Sequence, residues 1–298
     1  MPAIPRPLIA ARLFGTPLAA DDAKAAAIVE ALGPRLLGDD ILIDAEAVDH
    51  RAFQAGRLGD RTGRSYDQAG EATFDRIGRV GIIPIEGTLV HKGSYVGAYS
   101  GRTSYQGLQA QITRAGRDPT IAGVAFEVDS FGGEVSGLFE TADMIAKLSE
   151  AKPTIAILTD HALSAGYALA SGARQIIAAE HGLVGSIGAI MLHADMSSAL
   201  EKGGIKVTVL RAGARKADLN PYEKLGATAA TDAQNQLEAV RGSFADRVGR
   251  NRGARFSRAQ AMATEAAVFD GSTAVDMGLV DAVAHAGAAF EQFVSAVG

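Results

Sequence analysis

The chain has 298 residues, 47% of them apolar and 21% charged, enough to bury a full core in one large domain or two modest ones. Its net charge of −5 leaves no basic stripe to neutralise phosphates, which argues against a nucleic-acid binder. The absence of cysteine excludes disulfide staples, thiol catalysis and zinc–thiolate sites together.

The first fifteen residues carry early prolines and Arg12, too interrupted for a signal peptide or membrane anchor. No other window holds eighteen apolar residues, so the expected location is the cytoplasm. Residues 21–32 are alanine-rich and read as a helix, with Asp21 or Asp22 as cap and Gly33-Pro34 as stop. Residues 55–77 turn polar and glycine-rich, the pattern of a flexible linker. The expected division is a helical or assembly segment (1–54), a linker (55–78) and a compact domain (79–298).

From residue 80 onward β-rich runs alternate with helical periodicity. Strands are expected at 80–85, 121–128, 154–158, 175–179 and 206–210. Helices are expected at 104–117 with Ser104 as N-cap, at 135–150, at 165–173 and at about 231–249. Short strands alternating with helices imply βαβ units, a mostly parallel sheet and right-handed crossovers: an α/β fold.

Three glycine-bearing turns follow strands. Asp129-Ser130-Phe131-Gly132-Gly133 is expected to run straight into a helix, its paired glycines letting backbone amides face an anion. On its own it is also an ordinary strand-to-helix turn. Leu163-Ser164-Ala165-Gly166-Tyr167-Ala168 places a serine at the start of a small-residue helix, where a serine is usually just an N-cap. Here Ala165 and Gly166 leave the hydroxyl uncrowded, and the Ala165 amide stands where an oxyanion donor is needed. The third turn, Gly182-Leu183-Val184-Gly185-Ser186-Ile187-Gly188, is weak alone. A nucleophilic serine needs a base. Of the six histidines only His193 is worth entertaining, and its bland reading is a polar residue at a strand end; His161 reads as a loop residue. Lys216, in Arg215-Lys216-Ala217-Asp218, reads on composition as a solvated loop lysine. Spacing alone therefore leaves the base open. No spacing suits a metal, and no cofactor is implied.

In that order, the motifs DSFGG, LSAGYA, VGSIG and RKADLNPY resemble the signal-peptide-peptidase A family of Ser-Lys peptidases, and within it the phage and prophage head-maturation or capsid-assembly branch. The resemblance spans about residues 79–284. It implies Ser164 as nucleophile, Lys216 as general base, Ser186 as the serine that orients the lysine, and the Gly133 and Ala165 amides as oxyanion hole. It also implies a ClpP/crotonase-like spiral of ββα units assembled into a ring or dome-like homo-oligomer. The expected substrate is a protein or peptide, capsid or scaffold protein if the chain is phage-encoded, with host cytoplasm or procapsid as location. Phe131 and Ala165 stand where many relatives have proline and glycine; neither removes a backbone donor. Two rivals are a crotonase-type acyl-CoA enzyme and a catalytically inactive ring-forming scaffold.

Overall fold

The structure is a computed structural model and describes residues 16–20, 74–92 and 101–298. The helix expected at 21–32, and most of the expected linker, lie outside the described residues.

In chain order the described part begins with three short segments: β1 (Leu18–Ala20), β2 (Asp75–Ile77) and β3 (Val80–Glu86). Then come β4 (Thr88–Val90), β5 (Arg102–Ser104), helix α1 (Tyr105–Arg117), β6 (Gly123–Ser130) and β7 (Gly132–Glu134). Helix α2 (Leu138–Ala151), β8 (Thr154–Leu163), α3 (Ala165–Ala170), β9 (Gln175–Ala178) and β10 (Leu183–Gly185) complete the central part. The C-terminal third is mainly helical: α4 (Ser197–Lys202), α5 (Ala227–Arg252), α6 (Arg258–Ala263), β11 (Val268–Asp270), α7 (Gly271–Met277), β12 (Ala282–Val283) and α8 (Ala286–Val297).

Parallel strands covered on both faces read as continuous apolar runs, and β3, β6 and β8 do so. They pair in parallel with β6 in the middle, β10 and β9 lie parallel to β8, and antiparallel β2 and β11 close the two ends of the sheet. One face is covered by α1, α2 and α3 through Leu108, Ile112, Ile145 and Leu169. On the other, α8 lays Ala289 and Phe293 against Val80, Ala125, Ile155 and Ile177. The chain is the expected α/β class with a largely parallel sheet. A second, smaller sheet has the order β1-β7-β4-β5.

Four expectations change. Residues 75–77 form strand β2, antiparallel to β3, at the end of the expected linker. Residues 159–161 are strand, because β8 continues to Leu163 with Ala162 paired to both Ser130 and Val184. Residues 206–210 are not a strand: the β-prone sequence finds no partner edge among the described residues and lies largely exposed. The helix expected to start after Gly133 begins at Leu138, since Gly132–Glu134 is a strand.

Ser104 caps α1 as expected, its hydroxyl accepting the Gly107 N–H at 3.1 Å. Ser104→Ala should cost about 1 kcal/mol of stability, readable in a urea titration.

Candidate active site

The parallel strands β6, β8 and β10 end side by side, and the three sequence motifs leave from those ends. In open parallel sheets this is the edge where ligands bind. The register places Gly185 beside Leu163, so Ser164 and Ser186 follow directly from the ends of adjacent strands. The Ser164 N–H donates to the Gly185 carbonyl at 2.9 Å, which ties the two turns together.

Ser164 has φ 52° and ψ −119°, a conformation that a side chain disfavours. Such strain persists only where the surroundings over-determine it, and it concentrates at functional sites. Here the hydrogen bond to Gly185 and the immediate onset of α3 hold it. The Ala168 N–H donates to the Ser164 carbonyl at 2.9 Å, the first turn of that helix. The hydroxyl is not used as an N-cap, contrary to its bland reading. Its Oγ is buried and has no hydrogen-bond partner among the described residues. A buried, unpaired hydroxyl is unusual in a folded protein. The Ala165 N–H, in the first turn of α3, has no acceptor within the helix.

The DSFGG turn is fixed from its own serine. Ser130 Oγ donates to the Gly87 carbonyl at 2.7 Å and accepts the Gly132 N–H at 3.1 Å. That clamp turns the chain from β6 directly into β7. Gly133 has to be glycine: a Cβ there would lie 1.9 Å from the Leu89 carbonyl oxygen, so β4 could not pack against it. Gly166 likewise lets α3 close on β6, its absent Cβ facing the Ser130 carbonyl at 2.9 Å. The paired glycines therefore serve close strand approach rather than a helix N-terminus. Helix α3 packs on β7, which brings the Gly133 strand and the Ser164 turn to one place.

Ser186 also has positive φ, 54°, and is 8% exposed; its N–H donates to the Ala267 carbonyl at 3.0 Å. Behind it lies a cavity of about 430 Å³ lined by Ser186, Gly188, Ile190, Arg241 and Glu265. Arg241 is tied to Glu265 at 2.8 Å. Neither residue carries a signal in the sequence: an Arg–Glu pair between two distant segments has no local signature.

The structure gathers Ser164, Ala165, Ser186 and Gly133, and shows no hydrogen bond between Lys216 and Ser164 Oγ. Lys216 is exposed in a turn, its N–H donating to the Gly213 carbonyl at 3.1 Å. The neighbouring Arg215 is engaged by Asp218 and Asp232. The two histidines weighed from the sequence are engaged elsewhere. His161 lies on β8 with Nδ1 3.1 Å from Asp160 and its ring edge-on to Phe131, and His193 Nε2 is 3.1 Å from the Asn220 carbonyl. No cluster of potential metal ligands occurs among the described residues.

The family profile of peptidase family S49 matches residues 146–297, half of the chain. The chain belongs to this family. It is 34% identical over 283 residues to capsid assembly protease C of Escherichia phage lambda, covering 92% of this chain and 62% of that protein. It is 35% identical over 218 residues to the head-tail preconnector protein GP5 of Enterobacteria phage P21, covering 73% of this chain and 43% of that one. The chain thus spans less than two thirds of the length of either phage relative. Among solved structures, an enoyl-CoA hydratase from Shewanella pealeana aligns at 14% identity and a TM-score of 0.44, covering 79% of this chain and 77% of that one. At that distance no residue role carries over. No helix among the described residues is long and apolar enough to cross a membrane.

Proposed function

We propose that this S49 family member is a serine endopeptidase that cleaves peptide bonds through an acyl-enzyme on Ser164, with Lys216 as general base. The observation that carries the reading is the strained, buried Ser164 hydroxyl with no hydrogen-bond partner among the described residues, beside the turns that bear Ser186 and Gly133. In this reading neutral Lys216 takes the Ser164 proton, and the Gly133 and Ala165 amides stabilise the oxyanion. Lys216 then delivers the proton to the leaving amine, and Ser186 aims the lysine.

Lys216 has to be brought to Ser164, and the segment that bears it suggests how. Five of the eight large apolar side chains exposed among the described residues are Ile205, Val207, Leu210, Tyr222 and Leu225. Leu210 is 90% exposed. A run of this kind marks an interaction surface. We read it as the contact between copies of a homo-oligomer, in which packing of residues 205–225 on a neighbouring copy delivers and desolvates Lys216. Desolvation favours the neutral amine that a base requires. Capsid or scaffold protein is the substrate this reading favours, from the phage relatives, in host cytoplasm or procapsid.

The test is reaction with a fluorophosphonate probe beside digestion of an unstructured protein such as casein. Wild type should label on Ser164 and digest casein. Ser186→Ala should lower kcat by about two orders of magnitude, the lower end of the range for proton-transfer machinery. His161→Ala and His193→Ala should stay within about twofold, since neither ring serves the chemistry. An unlabelled Ser164 in protein that leaves casein intact would sink the proposal and favour an inactive scaffold. Tight acyl-CoA binding by calorimetry would favour the crotonase alternative.

A further inference from the structure

Strand β1 comes from a part of the chain remote from the rest of the sheet, yet it lies at the centre of the candidate site. Its three residues pair antiparallel with β7: Leu18 with Glu134, Ala19 with Gly133, Ala20 with Gly132. On its other side Leu18 exchanges both backbone hydrogen bonds with Ile190, at 2.8 and 2.9 Å. The segment is thus threaded through a slot between two backbone edges, with all three residues buried. Addition of an extended peptide to exposed strand edges is a general mode of peptide recognition.

The direction of its peptide groups follows from strand geometry. Successive residues of a strand point their N–H and C=O to opposite sides. Leu18 spends both groups on Ile190, so those of Ala19 face β7, where its register partner is Gly133. The contact distances agree: a Cβ on Gly132 would lie 2.2 Å from the Ala19 carbonyl oxygen, against the peptide that carries the Gly133 N–H. The Ala19 carbonyl therefore points at the amide assigned to the oxyanion hole. Just beyond it, Ala20 lines the cavity that also holds Ser186.

We propose that residues Leu18–Ala20 are a substrate of this same site, and that the bond between Ala19 and Ala20 is cut by Ser164. The inference rests on the peptidase reading above and names its first substrate. Ser164 Oγ attacks the Ala19 carbonyl carbon while its proton passes to Lys216, and the oxyanion forms on Gly133 and Ala165. Collapse breaks the Ala19–Ala20 C–N bond, with Lys216 returning the proton to the Ala20 nitrogen. Water then hydrolyses the Ala19 ester, which releases residues 1–19 with a new carboxylate and restores Ser164. Release of β1 empties the slot for the next substrate. The same geometry gives the preference: small side chains on both sides of the cut, with leucine preceding them.

Intact-mass spectrometry of the full chain, followed over time, tests this. Wild type should convert to a species beginning at Ala20, and Ser164→Ala should keep its N-terminus. Ala19→Asp should slow the conversion at least tenfold, and the onset of casein digestion with it, because β1 then stays in the slot. Should that variant fail to fold, a synthetic peptide covering residues 14–24 supplies the second measurement, with cleavage expected between the two alanines by wild type alone. An intact N-terminus, or one starting elsewhere, in protein that digests casein overturns the inference and leaves the peptidase reading standing. Failure to label with fluorophosphonate, to digest casein and to shed residues 1–19 overturns both.

Discussion

Ser164→Ala should reduce kcat for peptide cleavage by about 10⁴-fold or more, the loss seen when a nucleophile that works with its base as a unit is removed. The structure makes the variant easy to interpret. Ser164 Oγ holds no hydrogen bond among the described residues, so removing it breaks none of them and should leave stability nearly unchanged. The strained backbone is held by the Ser164 N–H and carbonyl, which alanine keeps. Lys216→Ala should give a loss of similar size, because nucleophile and base fail together. Lys216→Arg should not restore activity, since a guanidinium cannot give up its proton. Lys216 is exposed in the single chain, so its replacement should also leave the fold intact. Both variants are checked by kcat and KM on an unstructured protein beside a urea titration. Full activity in either removes the dyad.

The largest effect on stability is expected at the buried pair of Arg252 and Asp281. Arg252 is fully buried at the end of α5, with Nη2 at 2.8 Å and Nη1 at 3.1 Å from the Asp281 carboxylate. Its Nε and Nη2 also donate to the Gly278 carbonyl. Asp281 further accepts from Arg255 at 2.8 Å and from the Ile176 N–H at 2.7 Å, so one carboxylate joins α5, the turn after α7 and β9. Removing one partner strands the other: Arg252→Met or Asp281→Asn should cost about 3–5 kcal/mol. That is a large share of the 5–15 kcal/mol by which domains are folded.

The same pair sets an acid limit. Burial pushes the Asp281 carboxyl up, but the Arg252 guanidinium, the Ile176 N–H and Arg255 outweigh it and hold it below the ordinary carboxylate range. A carboxyl lowered by folding contributes stability above its unfolded value, near 4, and loses it as pH falls through the lower folded value. Wild type should therefore weaken as pH drops below about 4, with a smaller slope in Asp281→Asn. Urea titrations across pH 2–7 measure both, and identical slopes would remove Asp281 as the cause.

Much of the α/β pattern was legible because periodicity and capping are local. The Ser104 cap, the apolar run of β3 and the small-residue turn at Ser164 each depend on residues within a few positions. Errors fell where a strand needs a distant partner. Residues 206–210 have strand composition but no edge to pair with among the described residues, whereas Asp160 and His161 look like loop and become strand because β6 and β10 flank them. The paired glycines looked like a helix start, yet the nearness of Leu89 makes Gly132–Glu134 a strand.

Of the site, the sequence by itself determined which side chains are present and in what order: an uncrowded serine at a helix start, a second serine in a glycine turn and a lysine in a polar loop. Ordered motifs, rather than spacing, singled out that lysine. Only the tertiary structure decided that the two serines adjoin, that Lys216 is exposed on a segment rich in exposed apolar side chains, and that β1 fills the slot beside Gly133. The physical reason is that backbone pairing between residues 19 and 133, or 163 and 185, is chosen by strand edges that exist only once the chain has folded. No property of Leu18-Ala19-Ala20 as a tripeptide distinguishes it from any other apolar run.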